Sequence, residues 1–471
     1  MAAKLGLNKG FASLASRKAY LCARMAKTEF FSTLKLAWPI IIGQLSHIAL
    51  GVIDSAMVGR LGADPLAAVS VSVGLFSILM VFGIGVSFAI SPLTAIARGA
   101  SDANQAEKIL KNGVINGLVV GGLLVVLMLG VAALLPWLKQ TPEVTALSIP
   151  YLQILALSML PIMIFQSFRQ FSEGLEIMYP ALIIGLTMIP LNTFGNWLLI
   201  YGNWGFPAMG VEGAAWATVA TRVIAAAMMA LYVMRNRRFA AYRQLAWRAA
   251  VDSTVIKRLL ALGIPGGAQL IFETSAFAFA AVMIGWLGSK ALAAHQIAIN
   301  LASISFMVAI GISSASAIRV GHAQGQANFV KVRNIGKSSF LMAGGFMALC
   351  GIVFIVLRFA LPELYIDDRE VINQAAQLLL VAAAFQIVDG IQAVGVGLLR
   401  GMEDVKRPTL YVMLAYWVLA LPLGGLLAFT FNMGVLGLWI ALALGLAASA
   451  GLLSYRFFRL TRLKMEWQNS L

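Results

Sequence analysis

Long apolar stretches, separated by short polar segments, run through almost the whole chain of 471 residues. Each stretch has about 20 residues or more, the length that an α-helix needs to cross the hydrocarbon core of a bilayer. The apolar runs are continuous and lack the period-two alternation of outer-membrane strands, so the pattern predicts helices and not a barrel. The predicted spans are 36–58, 67–97, 112–136, 148–171, 180–201, 211–234, 258–287, 292–318, 338–358, 373–399, 408–431 and 434–455.

The composition agrees with an all-α polytopic membrane protein. Hydrophobic residues make up 60% of the chain and charged residues 11%, whereas soluble proteins have about 25% charged residues. Such a chain cannot cover its surface in water, which excludes a soluble enzyme, a nucleic-acid-binding module and a disordered scaffold. Lipids are therefore its expected surroundings.

The chain has a net charge of +16, and the distribution of its lysines and arginines indicates how it is oriented in the membrane. If the N-terminus is cytoplasmic, 29 of the 35 lysines and arginines fall on the cytoplasmic side and five on the other, while Arg222 lies inside a span. Because basic loops stay in the cytoplasm, this distribution favours twelve helices with both termini cytoplasmic.

The polar segments divide the chain into predicted regions. The first 28 residues have no apolar core and are not a signal peptide. They are interpreted as a basic tail or as sequence upstream of a start at Met25, with a transit peptide or a surface-lying amphipathic helix as alternatives. The predicted regions are a cytoplasmic tail at 1–35, a six-helix bundle at 36–234, a basic linker at 235–257, a second bundle at 258–457 and a cytoplasmic tail at 458–471.

An internal repeat relates the two bundles at an offset of 226 residues. Residues 57–68 (MVGRLGADPLAA) and 283–294 (MIGWLGSKALAA) share seven of twelve positions, and Gly85 and Gly99 align with Gly311 and Gly325. Six helices per repeat is an even number, so the repeats are parallel and related by a pseudo-twofold axis along the membrane normal, with a cavity between or within them. This architecture is typical of an alternating-access transporter, and a monomer is expected.

Three acidic residues lie well inside predicted spans: Asp54, Glu273 and Asp389. An ionised carboxylate at bilayer depth costs about 2.5–3.5 kcal/mol on insertion scales, so it is retained where it faces a cavity, pairs with a cation or is protonated. A structural carboxylate bonded to a neighbouring helix is the alternative.

Helical spacing places each acid on a polar stripe, which fits a hydrated pathway better than a lipid-facing surface. The stripes are Gln44, His47, Gly51 and Asp54 in the first span, Gln269 and Glu273 in the seventh, and Gln386, Asp389 and Gln392 in the tenth.

Buried carboxylates of this kind can take up H⁺, provide oxygen ligands for Na⁺ or attract a lipophilic cation. If the ion and the cation compete for them, export is coupled to ion entry, which is antiport. The residues alone leave Na⁺ and H⁺ equally open. No Walker motif and no zinc-ligand spacing is present, so neither ATP-driven pumping nor a bound cofactor is expected.

At this point the residues resemble those of the multidrug and toxic compound extrusion (MATE) family, in its NorM-type bacterial branch. The resemblance covers about residues 30–460 and includes GVIDSAMVGRLG with Asp54, PGGAQLIFETSAF with Glu273 and FQIVDGIQAVGVGLLRG with Asp389. It implies a multi-pass exporter of cationic lipophilic drugs in the bacterial inner membrane, driven by Na⁺ or H⁺.

The resemblance also assigns roles to residues. Glu273 and Asp389 would bind the coupling cation, as metal ligands if it is Na⁺, and Asp54 would be a coupling carboxylate of the N-terminal half. Asp367 and Asp368 are weaker candidates, together with the neutral stripe residues Gln44, His47, Gln269 and Gln386. A lipid-linked precursor flippase of the same broad fold is the alternative; an intramembrane enzyme would need motifs that the sequence lacks.

Overall fold

The computed structural model describes residues 3–138, 140–242 and 251–470, and these residues form helices without any strand. Twelve of the helical segments in this part of the chain are long and apolar enough to cross a membrane. They are α1 (Ala3–Gly59, apolar from Thr28), α2 (Ala63–Gly99), α3 (Ala103–Trp137), α4 (Pro142–Gly174), α5 (Tyr179–Tyr201), α6 (Gly210–Arg235), α7 (Ser253–Gly285), α8 (Ser289–Gly325), α9 (Phe329–Val356), α10 (Arg369–Gly401), α11 (Lys406–Thr430) and α12 (Gly434–Gln468).

These helices confirm the twelve predicted spans and the all-α fold class. Most helices extend a few residues beyond the apolar run because their ends continue into the polar loops. The largest difference is α1, which begins at Ala3 and so precedes the span predicted from residue 36. Residues 243–250 of the predicted linker, Lys139 and the chain ends at 1–2 and 471 lie outside the described residues.

Apolar side chains face outward at the depth of the bilayer. Val126 on α3 is 66% exposed and Leu341 on α9 is 73% exposed. Lipid tails can cover such side chains without cost, whereas water cannot, so this outward face agrees with a membrane-embedded bundle.

The internal repeat is preserved in backbone geometry as well as in sequence. The residues that precede α3 and α9, Ser101 and Ala327, both have positive φ angles, of 57° and 53°. The next residues, Asp102 and Asn328, each accept a hydrogen bond from the third backbone N–H of the following helix and cap it. Equivalent positions in the two bundles therefore form the same turn.

The two bundles meet through glycines on α2, α7 and α8. A Cβ atom on Gly85 of α2 would lie 2.6 Å from the Cα of Gly267 on α7, so the helices cross with their backbones in contact. At the end of α2, Gly99 approaches the carbonyl of His322 on α8, and Gly325 approaches the carbonyl of Ile96, each at 2.1 Å from an ideal Cβ. These two approaches are repeat equivalents, as a pseudo-twofold axis requires.

An ion pair and a histidine–carboxylate contact join the bundles on the side of the membrane where α1 begins, which we call the N-terminal face. Arg319 of α8 pairs with Glu29 of α1 and donates to the hydroxyl of Thr33. Glu176, in the loop after α4, pairs with Arg98 at 2.8 Å and lies 3.8 Å from His322 of α8. The bundles are therefore in close contact at the N-terminal face.

We expect Gly85→Ala to destabilise the protein by about 1–3 kcal/mol, since the added methyl group meets backbone that cannot move aside. The matched control is Gly74→Ala on the same helix, where a Cβ meets nothing within 4 Å. Thermal unfolding midpoints of the purified proteins in detergent measure both. Equal midpoints for the two variants would show that the α2–α7 crossing is not tightly packed.

Candidate functional site

A cavity of about 410 Å³ lies within the N-terminal bundle, between α1, α2, α4, α5 and α6, and α8 closes one side. The predicted stripe of Gln44, His47, Gly51 and Asp54 lines it. The face of α1 that the sequence marks as polar thus lines a cavity within the bundle.

Asp54 is held by α5. The Asn196 side chain donates to Asp54 Oδ1 at 2.6 Å, and it also lies 3.2 Å from the amide oxygen of Asn192. Both asparagines are fully buried. One carboxylate oxygen of Asp54 is therefore oriented by a buried amide, while the carboxyl group remains on the cavity wall.

Basic side chains also reach this cavity. Arg169 is paired with Glu173 one helical turn away on α4, at 2.7 Å. Arg222 of α6 donates to Ser158 Oγ at 2.6 Å, where α4 is interrupted, and its guanidinium lies 4.9 Å from the ring centroid of Phe76. The cavity consequently has both signs of charge on its wall.

A second acidic site lies in the C-terminal bundle, where Glu273 of α7 and Asp389 of α10 are 9% and 8% exposed. The two carboxyl groups are close enough to interact electrostatically. Gln392 donates to Glu273 Oε1 at 3.3 Å and accepts from the Tyr416 hydroxyl at 3.1 Å. Tyr416 thereby fixes which end of the Gln392 amide faces the carboxylate.

The remaining stripe glutamines border the same region. Gln386 donates to Ser305 Oγ of α8 at 2.6 Å. The amide oxygens of Gln386 and Gln269 are buried and have no hydrogen-bond partner within the described residues. Neutral oxygens are thus available beside the carboxylate pair.

Arg400 interacts electrostatically with Glu273. Its guanidinium lies 4.8 Å from the ring centroid of Phe88 on α2, so it reaches across the contact between the bundles. No ion pair links it to Glu273 in the described structure, and Asp389 has no hydrogen-bond partner there.

The weaker candidates Asp367 and Asp368 lie elsewhere. Asp368 caps α10 by accepting from the backbone N–H groups of Glu370 and Val371, and it pairs with Lys290 at 3.6 Å. The N–H of Glu370 stabilises the ionised form, so the pKa of Asp368 lies below its ordinary value. Asp389 is 21 residues further along the same helix, about 30 Å at 1.5 Å per residue.

The structure thus brings Glu273, Asp389, Gln269 and Gln386 together in one bundle and places Asp54, Gln44 and His47 in the other. Sequence reasoning missed the residues that hold Asp54 and the glutamines by hydrogen bonds, directly or through a neighbour: Asn192, Asn196, Ser305 and Tyr416. Asn192 and Asn196 could have been identified from the sequence, because two amides four residues apart in an apolar span share one helix face.

The donor set limits what these sites can bind. The described residues contain no group of three or more His, Cys, Asp or Glu side chains able to hold a metal ion. Two carboxyl groups with amide oxygens suit a proton or one monovalent cation better than a multivalent metal. The fold, the paired bundles and the buried acids define a membrane transporter.

Comparison with known proteins gives the family. The MatE family model matches twice, over residues 39–198 and 265–426, so it finds each bundle separately. The probable multidrug resistance protein NorM of Mesorhizobium japonicum is 37% identical over 447 residues, covering 93% of this chain and 95% of that protein. The multidrug resistance protein NorM of Vibrio vulnificus is 31% identical over 446 residues, covering 94% and 98%.

Solved structures share the fold. A crystal structure of MATE in the bent conformation superposes with a TM-score of 0.86 at 17% identity, covering 94% of this chain and 98% of the other. The eukaryotic MATE transporter AtDTX14 gives 0.83 at 20% identity, covering 94% and 99%. The chain belongs to the MatE family, as the sequence predicted; its members are transporters and not enzymes.

We expect Tyr416→Phe to lower the stability by about 1–3 kcal/mol, since it leaves the amide oxygen of Gln392 buried without its donor. Tyr455→Phe is the control, because Tyr455 is 64% exposed on α12. Thermal unfolding midpoints in detergent measure the difference. Identical midpoints for the two variants would mean that the Tyr416–Gln392 hydrogen bond contributes nothing to the fold.

Proposed function

We propose that the protein exports lipophilic cationic drugs from a bacterial cell in exchange for inward movement of Na⁺ or H⁺. Glu273 and Asp389 bind the coupling cation, and Asp54 is the coupling or drug-linked carboxylate of the N-terminal bundle. The protein works as a monomer in the inner membrane by alternating access, with both termini in the cytoplasm. The names of its relatives, which are multidrug resistance proteins, support this proposal.

The proposal rests on the buried pair of acids, Glu273 and Asp389. Asp389 has no hydrogen-bond donor within the described residues, and the charged group that acts on it is another acid, Glu273. Two carboxylates cannot both remain ionised in a low-dielectric site without a cation or a proton between them. The pair therefore gains stability from a monovalent cation, and the amide oxygens of Gln269 and Gln386 provide further ligands for Na⁺.

The proposed orientation determines the side of the membrane toward which the structure is closed. The N-terminal face carries most of the lysines and arginines and is cytoplasmic by the positive-inside rule. If this face is cytoplasmic, the close approaches of Gly99 and Gly325 and the contacts of Arg319 and His322 correspond to a state closed toward the cytoplasm. Opening it requires separation of Arg319 from Glu29 and of His322 from Glu176.

The acidic pair and the names of the relatives favour the exporter over the lipid-linked precursor flippase. A flippase would move a polyanionic head group, which a buried carboxylate pair repels.

We expect Glu273→Gln and Asp389→Asn to abolish drug export while the protein remains inserted at normal abundance, since each removes one charge from the cation site. The matched controls Glu363→Gln and Asp64→Asn change exposed acids near helix ends and should retain export. Uptake of a fluorescent cation into everted membrane vesicles measures all four. Normal uptake by both site variants would contradict the assignment of the site.

A second experiment distinguishes the two coupling ions. Vesicles loaded with dye receive either a Na⁺ pulse or a pH step, and dye release is followed. Release on Na⁺ alone makes Glu273 and Asp389 sodium ligands, and release on the pH step alone makes them a proton site. If wild-type protein is present and neither gradient moves dye, the exporter proposal fails.

A further inference from the structure

Three arginines lie close together where α6 ends, and we call them the α6 arginine cluster. Arg235 is the last residue of the helix, and Arg237 and Arg238 begin the short 3₁₀ turn that follows it, Arg237–Tyr242. All three residues are exposed. Within the described parts of the chain none of them forms an ion pair. Four successive residues thus carry three positive charges that no described side chain neutralises.

Other arginines on the N-terminal face differ from this cluster because they have acidic partners. Arg258 of α7 pairs with Glu403 at 2.6 Å, and Arg456 of α12 pairs with Asp404. Those arginines hold helices and loops of the protein together. The α6 arginine cluster makes no such contact, so its charges are available to a partner outside the chain.

Aromatic packing holds the turn that carries two of the three arginines. Phe239 is 1% exposed, and its ring centroid lies 6.1 Å from that of Tyr232 on α6 and 6.3 Å from that of Phe171 on α4. The turn is therefore docked on the N-terminal bundle. This packing keeps the backbone of the cluster in place while its charged groups face outward.

The face of α6 that leads to Arg235 is apolar and exposed. Ile224, Met228 and Leu231 are 41%, 40% and 51% exposed, and their spacing places them on the same side of the helix as Arg235. The 26 residues of α6 span about 39 Å, whereas the hydrocarbon core is about 30 Å thick. Arg235 therefore lies at the level of the lipid head groups, next to side chains that acyl chains cover.

We propose that the α6 arginine cluster binds the phosphate group of an acidic phospholipid in the leaflet at the N-terminal face. The acyl chains of this lipid lie along Ile224, Met228 and Leu231. The site is separate from the proposed drug export, because no residue of the cluster lines the N-terminal cavity. It gives the protein a preference among membrane lipids that its apolar surface alone does not provide.

An acidic phospholipid matches the cluster better than a zwitterionic lipid or a free anion. Guanidinium groups bind phosphate oxygens through charge-assisted, bidentate hydrogen bonds. A zwitterionic head group carries its own cation, which the arginines repel. A free phosphate gains nothing from the apolar face of α6. Each arginine near a membrane surface strengthens binding of acidic lipid by about fivefold.

Lipid binding to the purified full-length protein in a neutral detergent tests the proposal, and native mass spectrometry measures it. The probes are phosphatidylglycerol, which is acidic, and phosphatidylcholine with the same acyl chains, which is zwitterionic. The site variant combines three substitutions: Arg235→Gln, Arg237→Gln and Arg238→Gln. The control variant removes three exposed basic residues elsewhere on the N-terminal face: Lys406→Gln, Arg407→Gln and Arg459→Gln.

We expect the wild-type protein to bind phosphatidylglycerol more tightly than phosphatidylcholine. The site variant should lose about a hundredfold in affinity for phosphatidylglycerol, as three contributions of about fivefold imply. The control variant loses the same net charge from the same face and should bind this lipid almost as the wild type does. Equal losses in the two variants overturn the proposal, because the attraction would then belong to the whole face. An unchanged affinity of the site variant also overturns it.

Competition distinguishes a lipid from free phosphate. Inorganic phosphate should not displace phosphatidylglycerol, and displacement at comparable concentrations overturns the assignment to a lipid. If the site variant does not accumulate, a phosphatidylglycerol with a photoreactive head group is crosslinked to the wild-type protein. Adducts within residues 224–242 then support the site, and adducts confined to other regions overturn it.

Discussion

The cost of charge within the bilayer is the constraint on which the rest of the structure depends. Most of this chain meets that constraint by having no charge at all in its spans, and the exposed apolar faces of α3 and α9 show the result. For three of the retained charges the structure provides an amide, a hydroxyl or an aromatic ring: Asn196 for Asp54, Gln392 for Glu273 and Ser158 with Phe76 for Arg222. None of these partners cancels the charge, so each charge remains available to a ligand.

The two bundles share a fold, but their buried charged residues stand at different positions. At the repeat offset, Glu273 aligns with His47, and Asp54 aligns with Ala280. The positions that the repeat does preserve are those where backbones meet or turn, such as Gly99 and Gly325. A substitution there meets backbone in either bundle and is excluded in both, whereas a cavity side chain can change in one bundle alone. The two bundles can therefore keep the same backbone arrangement and still differ in the side chains of their sites.

The sequence was sufficient for the fold because hydropathy is a property of whole segments, which locates the helices, and because the repeat leaves matching residues at a fixed offset. It was also sufficient to identify the acids, because a carboxylate in an apolar span is conspicuous. It was insufficient to predict the hydrogen-bond partners of the residues beside the acids. Tyr416 and Ser305 are unremarkable residues in their own spans, and only the packing of α8 and α11 against α10 brings them to Gln392 and Gln386. That packing depends on helix rotation, which periodicity alone does not determine.

Helix α8 contacts both the N-terminal cavity and the helix that carries Asp389. On one side Ser305 and Ser313 bond to α10, to the amide of Gln386 and to the carbonyl of Ala393. On the other side Met307, Ile310 and Ser314 form a wall of the N-terminal cavity. If the carboxylate pair binds a cation as proposed, a shift of α10 on binding acts on α8, because the two helices are closely packed. The same helix carries Arg319 and His322 at the N-terminal face, so a displacement that changes the cavity wall also acts on the contacts that hold this face closed. In the proposed exporter, coupling between ion and substrate then needs no direct contact between them, only a rigid helix that borders both sites.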